Sequence, residues 1–146
     1  YWLCIQTDLG SNSNFVTYQV CGFNGRFDPH KDLGIIVPYR RQIALVRNAL
    51  LQSPHPELAD VTIDTVERFQ GSECNTIIYG FTVTRASQLA FLCSTQFEDE
   101  CGQWVDRKLN VALTRARERM LIVGYRPLLE RVPLFRELID FCESAH

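Results

Sequence analysis

The sequence has no apolar run approaching the ~18 residues that a membrane helix needs, and no secretory h-region opens it. A helical membrane protein is therefore not expected. Neither sign of charge dominates: 15 basic and 17 acidic residues leave a formal charge of −2, which points to neither a nucleic-acid binder nor a membrane binder in bulk terms. No two of the six cysteines (Cys4, Cys21, Cys74, Cys93, Cys101, Cys142) stand as CxxC. The three histidines (His30, His55, His146) complete no zinc pattern. The cysteines are expected to be free thiols in a reducing compartment, and no metal site is expected. There is no GxxxxGK[ST] phosphate loop and no evident Mg²⁺-holding acidic motif after a strand. Internal repeats and low-complexity tracts are absent as well.

What remains is an ordinary globular composition, 46% apolar and 22% charged over 146 residues, enough for one domain with a real core. Lysine is scarce: 13 of the 15 basic residues are Arg, and residues 105–126 hold six basic against two acidic side chains. The chain opens on Tyr1 and reads at once as strand, so it is expected to be a piece of a longer protein.

Five segments read as strands from β-branched and aromatic enrichment between turn signals: Tyr1–Gln6, Leu33–Tyr39, Val61–Val66, Thr76–Val83 and Met120–Tyr125. Gly34-Ile35-Ile36-Val37 and Met120-Leu121-Ile122-Val123 are continuously apolar, the mark of strands buried on both faces in a parallel sheet. Helices are expected over Arg40–Gln52, over Lys108–Glu118 and, after Pro127, over Leu128–Ser144 with a bend at Pro133. Alternating strands and helices predict an α/β three-layer domain. Asp8–Asp32 and Arg85–Val105 have no clean period, and connections of that length are usually functional or mobile.

Three segments carry chemistry, each at a strand end or helix start, and ligands gather at the carboxyl ends of strands in open α/β sheets. In Gly34–Gln42, Pro38 stops the strand, Tyr39 offers a stacking face, and Arg40, Arg41 and Gln42 gather polar groups. Asp64–Glu73 crowds Thr65, Gln70 and Glu73 around Gly71, which permits a tight turn. In Arg107–Arg117, a helix would bury Leu109, Ala112, Leu113 and Ala116 and put Lys108, Arg115 and Arg119 together on another face, needing an anion or carboxylate opposite.

In this order the segments resemble the second RecA-like motor domain of superfamily 1 helicases, in the 5′-to-3′ branch of nonsense-decay and Okazaki-fragment-processing enzymes. Gly34–Gln42 is similar to the family's apolar strand ending in Pro-Tyr-x-x-Gln. Val61–Glu73 is similar to Val-x-Thr-Val-Asp-x-Phe-Gln-Gly-x-Glu, and Arg107–Arg117 to Arg-x-Leu-Asn-Val-Ala-x-Thr-Arg-Ala-Lys/Arg. The likeness is specific over residues 34–125. It implies a RecA-like fold of the P-loop NTPase type, lacking its own phosphate loop, over residues 1–146. It also implies that Arg115 contacts the γ-phosphate across a cleft between two motor domains and that Glu73 reaches the nucleotide ribose. Gln70 and Gly71 would line that cleft and couple it to the nucleic-acid track. Thr65 would touch the nucleic-acid backbone, and Pro38 and Tyr39 would form part of the single-strand path. Two departures stand out. The family aspartate is Glu67 here, and Ser11–Thr17 supplies asparagines without the family's upstream Arg and Glu.

The resemblance thus implies the C-terminal motor half of an ATP-dependent DNA or RNA helicase. ATP and Mg²⁺ would be its cofactors, the Mg²⁺ held mainly by an N-terminal RecA-like domain of the same protein. Its partners would be that domain and single-stranded DNA or RNA, and its compartment the cytoplasm, or the nucleus in a eukaryote. The alternatives are a non-catalytic RecA-like module that binds nucleic acid and a nucleotide-sensing interaction domain.

Overall fold

The computed structural model describes residues 2–6 (as backbone), 26–69 and 71–144. Five strands form one sheet: β1 (Trp2–Gln6), β2 (Leu33–Ile36), β3 (Thr62–Asp64), β4 (Cys74–Gly80) and β7 (Ala116–Val123). Their order is β1-β7-β4-β2-β3, and every neighbouring pair is parallel. Ile35 lies beside Ile78 and Ile63, and Ile78 in turn beside Leu121.

The side-chain alternation of strands splits the apolar runs between two cores. Ile36, Ile77, Tyr79, Met120 and Ile122 face one of them. Ile35, Ile63, Ile78 and Leu121 face the other. Helix α1 (Arg40–Leu51) and a 3-10 turn at Pro56–Asp60 cover the second core with Leu50 and Leu58. The first core is covered by α2 (Ala86–Leu92), α3 (Arg107–Leu113), α4 (Arg126–Leu129) and α5 (Pro133–Ser144), through residues such as Leu92, Leu109, Leu129 and Phe135. The expected three-layer α/β architecture, a parallel RecA-like sheet between helical layers, is the one observed.

Three expectations need correction. The helix expected over Lys108–Glu118 ends at Leu113: Thr114 closes it, and the chain enters β7 at Ala116. The ladder to β4, with Cys74 opposite Ala116, captures Ala116, Arg117 and Glu118 although their own propensity favours helix, a tertiary override. The helix expected over Leu128–Ser144 is two helices, α4 and α5, with prolines at or next to their first positions. The Arg85–Val105 connection is not a bare loop. It holds α2 and an antiparallel hairpin of β5 (Gln96–Glu98) and β6 (Trp104–Asp106). Cys74, Cys93, Cys101 and Cys142 are free, while the side chains of Cys4 and Cys21 lie outside the described residues.

Phe69 is buried to 1% exposure, and its ring lies where a side chain at position 34 would go: a Cβ on Gly34 would fall 2.5 Å from Phe69 Cζ and 2.8 Å from Ile77 Cδ1. Overpacking of this kind costs about 1–3 kcal/mol. Gly34→Ala should lower unfolding stability by that amount in urea titration. Adding Phe69→Leu should recover part of it, because the ring is the obstacle.

Candidate functional site

Beyond β2 the buried Val37 donates its N–H to the Asp64 carbonyl (3.1 Å), which brings Pro38 and Tyr39 beside Thr65 at the carboxyl edge of the sheet. Tyr39 stacks on Phe91 of α2, ring centroids 4.8 Å apart and 25° from parallel, and its hydroxyl donates to the Gln88 carbonyl at 3.3 Å. Burial raises the Tyr39 phenol above its ordinary value. Gln42, one turn into α1, grips Thr82: its Oε1 accepts from the Thr82 hydroxyl (2.7 Å) and its Nε2 donates to the Thr82 carbonyl (3.4 Å). Thr82 has φ of 46°, a left-handed conformation that a β-branched residue adopts only under constraint.

Thr65 is 5% exposed, and its side chain bonds the Glu67 carboxylate. Pro38, Tyr39, Arg40, Thr65, Glu67, Arg68 and Phe91 line an open cleft of about 340 Å³.

The remaining candidates lie elsewhere. Gly71 turns with φ of 89°, and nothing stands within 4 Å of where its Cβ would be. Glu73 pairs with Arg117 at 3.2 Å. Arg115 sits in the turn between α3 and β7, its carbonyl accepting from the Cys74 N–H at 3.0 Å. Its guanidinium donates to the Val111 carbonyl (3.2 Å) and the Thr114 hydroxyl (2.9 Å), both neutral. No ion pair among the described residues engages it. Gln70 and Ser11–Thr17 lie outside the described residues.

The candidates therefore form two groups. Pro38, Tyr39 and Thr65 stand at the carboxyl edge of the sheet. Gly71, Glu73 and Arg115 stand at the amino edge, contrary to the expectation that all would gather at carboxyl ends. The six steps from Cys74 to Gly80 separate the edges by ~20 Å at about 3.3 Å per residue. The shared face expected for Lys108, Arg115 and Arg119 does not exist, since only Lys108 is helical. Lys108 instead pairs with Glu67 at 2.8 Å. Two ion pairs, Glu67–Lys108 and Glu73–Arg117, thus join the segment after β3 to the segment around α3 near both edges.

Several contributors were not evident beforehand. Asp106 is 4% exposed and caps α3, its Oδ1 accepting from the N–H groups of Lys108 (2.9 Å) and Leu109 (3.1 Å). Thr95 and Gln96 also donate to it, which ties the hairpin to that helix. An Asp just before an apolar-periodic helix is a readable N-cap signal. Phe91 and Gln88 had no such signal. Among the described residues there is no cluster of three or more His, Cys, Asp or Glu placed to hold a metal ion.

Burial raises the Glu67 carboxyl, but bonds from Lys108, the backbone and Thr65 together outweigh it and leave the pKa below the ordinary 4.5. A depressed folded-state value adds stability above the unfolded value, and that stability is lost as pH falls through the folded one. Lys108→Met should flatten the decline of Tm between about pH 5 and pH 3, read by thermal melts across that range.

A family model described as an AAA domain matches residues 11–127. The DNA replication ATP-dependent helicase/nuclease JHS1 of Arabidopsis thaliana is 34% identical over 110 residues, 75% of this chain and 7% of its own length. The DNA replication ATP-dependent helicase/nuclease DNA2 of Bos taurus is 33% identical over 113 residues, 77% of this chain and 10% of its own. The 3'-5' exoribonuclease HELZ2 of Mus musculus is 34% identical over 122 residues, 82% of this chain and 4% of its own. The chain thus spans a tenth or less of the length of these relatives. With the parallel RecA-like sheet described above, the chain belongs to this AAA-domain family, a family of superfamily 1 helicase domains.

Proposed function

We propose that this chain is the C-terminal motor half of an ATP-dependent helicase that moves along single-stranded DNA or RNA, working against an N-terminal RecA-like domain of the same protein. The observation that carries this reading is the state of Arg115. Arg117 beside it is committed to Glu73, whereas Arg115 is fixed by two neutral oxygens and keeps its charge for an anion from outside. The planar guanidinium, held in place before the reaction, suits negative charge shifting on a transferred phosphoryl group. Comparable arginine fingers contribute roughly 10³–10⁵ in rate. Glu73 engages Arg117 through Oε2 and has its second oxygen for a ribose hydroxyl.

ATP between the two domains would draw the amino edge of this sheet toward its neighbour. Release of the γ-phosphate removes the anion that Arg115 holds, and the domains part. Thr65 and Tyr39 at the far edge then shift relative to the first domain's grip on the strand. Gly71 lies on the segment that runs between the two edges, where a coupling role belongs, and Gln70 precedes it in the sequence.

Arg115→Ala in the full-length protein should cut nucleic-acid-stimulated kcat by about 10³ while ATP affinity changes only a few-fold. Arg115→Lys, which keeps the cation and loses the fork, should restore part of the rate. Arg119→Ala, exposed on β7, should leave it near wild type. Normal turnover by Arg115→Ala in a phosphate-release assay would overturn the reading. The 146-residue chain alone should hydrolyse no ATP even with single strands present, because its sequence carries no phosphate loop.

A further inference from the structure

Glu73 has a backbone held on both sides and a side chain that a single residue steadies. The Ser72 N–H donates to the Phe69 carbonyl (3.1 Å), and the Cys74 N–H donates to the Arg115 carbonyl (3.0 Å). The Glu73 side chain is about half exposed, and a stem this flexible has rotamer freedom to lose when a ligand arrives. Among the described residues only Arg117 engages its carboxylate, Nε donating to Oε2 at 3.2 Å, and Oε1 accepts no bond. The strand that delivers Arg117 is irregular at that point. Cys74 lies opposite Ala116 and Thr76 opposite Arg119, two steps of β4 against three of β7, which leaves an extra residue at Arg117–Glu118. Extra residues of this kind bend a strand and re-aim a side chain. Arg117 is more than half exposed, and an ion pair so open to water adds little to stability, so the fold alone does not account for it.

We propose that Arg117 is a positioning residue for nucleotide binding: it holds the Glu73 carboxylate so that Oε1 meets a ribose hydroxyl, and it cancels a charge that would repel the adjoining phosphates. This role rests on the helicase reading, in which Glu73 takes the ribose, and adds to it a residue that itself touches no part of the nucleotide. A carboxylate already ordered loses less freedom when the sugar binds. A carboxylate stripped of its cation opposes an approaching triphosphate. Arg115 and Arg117, two residues apart, thus divide the work. The first meets the phosphates, and the second acts only through Glu73. The consequence falls on nucleotide affinity rather than on the chemical step.

The test is strand-stimulated hydrolysis by the full-length protein on ATP, 2′-deoxyATP and 3′-deoxyATP. Arg117→Ala should raise the KM for ATP about fivefold and lower kcat by less than about twofold. Arg117→Lys, which restores a cation, should recover most of the affinity, as a damaged fold would not. Glu73→Ala should abolish the preference for ATP over one of the two deoxynucleotides, which identifies the hydroxyl, and Arg117→Ala should reduce the same preference. Glu73→Ala and Arg117→Ala combined should bind ATP within about twofold of Glu73→Ala alone, because one acts through the other. An Arg117→Ala effect that persists undiminished in the Glu73→Ala background would mean that Arg117 touches the nucleotide itself, and the positioning role is wrong. If Arg117→Ala keeps the wild-type KM while Glu73→Ala raises it, the positioning role fails and the helicase reading stands. If Glu73→Ala and Arg115→Ala both hydrolyse ATP as wild type does, both fall.

Discussion

The ring of Phe69, beside Ile77 and Cys74, fills the space that Gly34 leaves open on β2, and the segment that carries most of the candidate residues is pinned at that point. Burying a ring of this size and then removing it typically costs about 3–5 kcal/mol, a large share of the stability of a domain this small. The anchor lies between Thr65 and Glu73, so both edges of the sheet receive their side chains from one stretch of backbone with a fixed middle. The ion pairs Glu67–Lys108 and Glu73–Arg117 then settle the two ends against α3 and the start of β7. Being partly exposed, they contribute less to stability than the ring does, but they set direction.

The fold was legible where one physical signal was strong. Runs such as Ile35-Ile36-Val37 and Met120-Leu121-Ile122 have few options other than a strand buried on both faces, and all five expected strands are present. Arg115 was legible as a motif residue by resemblance, yet its setting was not. Lys108 to Glu118 contains no residue that forbids a helix, and only the ladder to β4, 42 residues upstream at Cys74–Ala116, ends it. The hairpin of β5 and β6 was hidden for the same reason, since three-residue strands carry no period. The pairing of Glu67 with Lys108 and the stack of Tyr39 on Phe91 are tertiary events without a local trace. Nor could the division of the site between opposite edges be read from motif order, because it depends on the path the chain takes between β3 and β4.

Thr82 shows how the corner after β2 is joined to the rest. It follows the end of β4 and precedes α2, in a backbone conformation that a β-branched residue avoids when free. The amide of Gln42 satisfies both its hydroxyl and its carbonyl, so α1 and the approach to α2 are held by the same side chain. Gln88 extends the connection by accepting from the N–H groups of Thr84 and Arg85 (2.8 and 2.9 Å) while its own carbonyl receives Tyr39. Tyr39 therefore inherits its orientation from residues spread over about a third of the chain.

The separation of the two groups also gives the domain the proportions of a lever. With an arm of ~20 Å between the amino and carboxyl edges, a pivot at the amino edge need turn by only about 10° for the opposite edge to travel about 3.4 Å, the rise of one nucleotide in the strand of the function proposed above. Rotations of that size are common in hinged proteins and need no refolding inside the moving part. A sheet packed on both faces and braced across its loops is stiff enough to transmit such a turn undiminished, so the step length would be set by the length of a seven-residue strand.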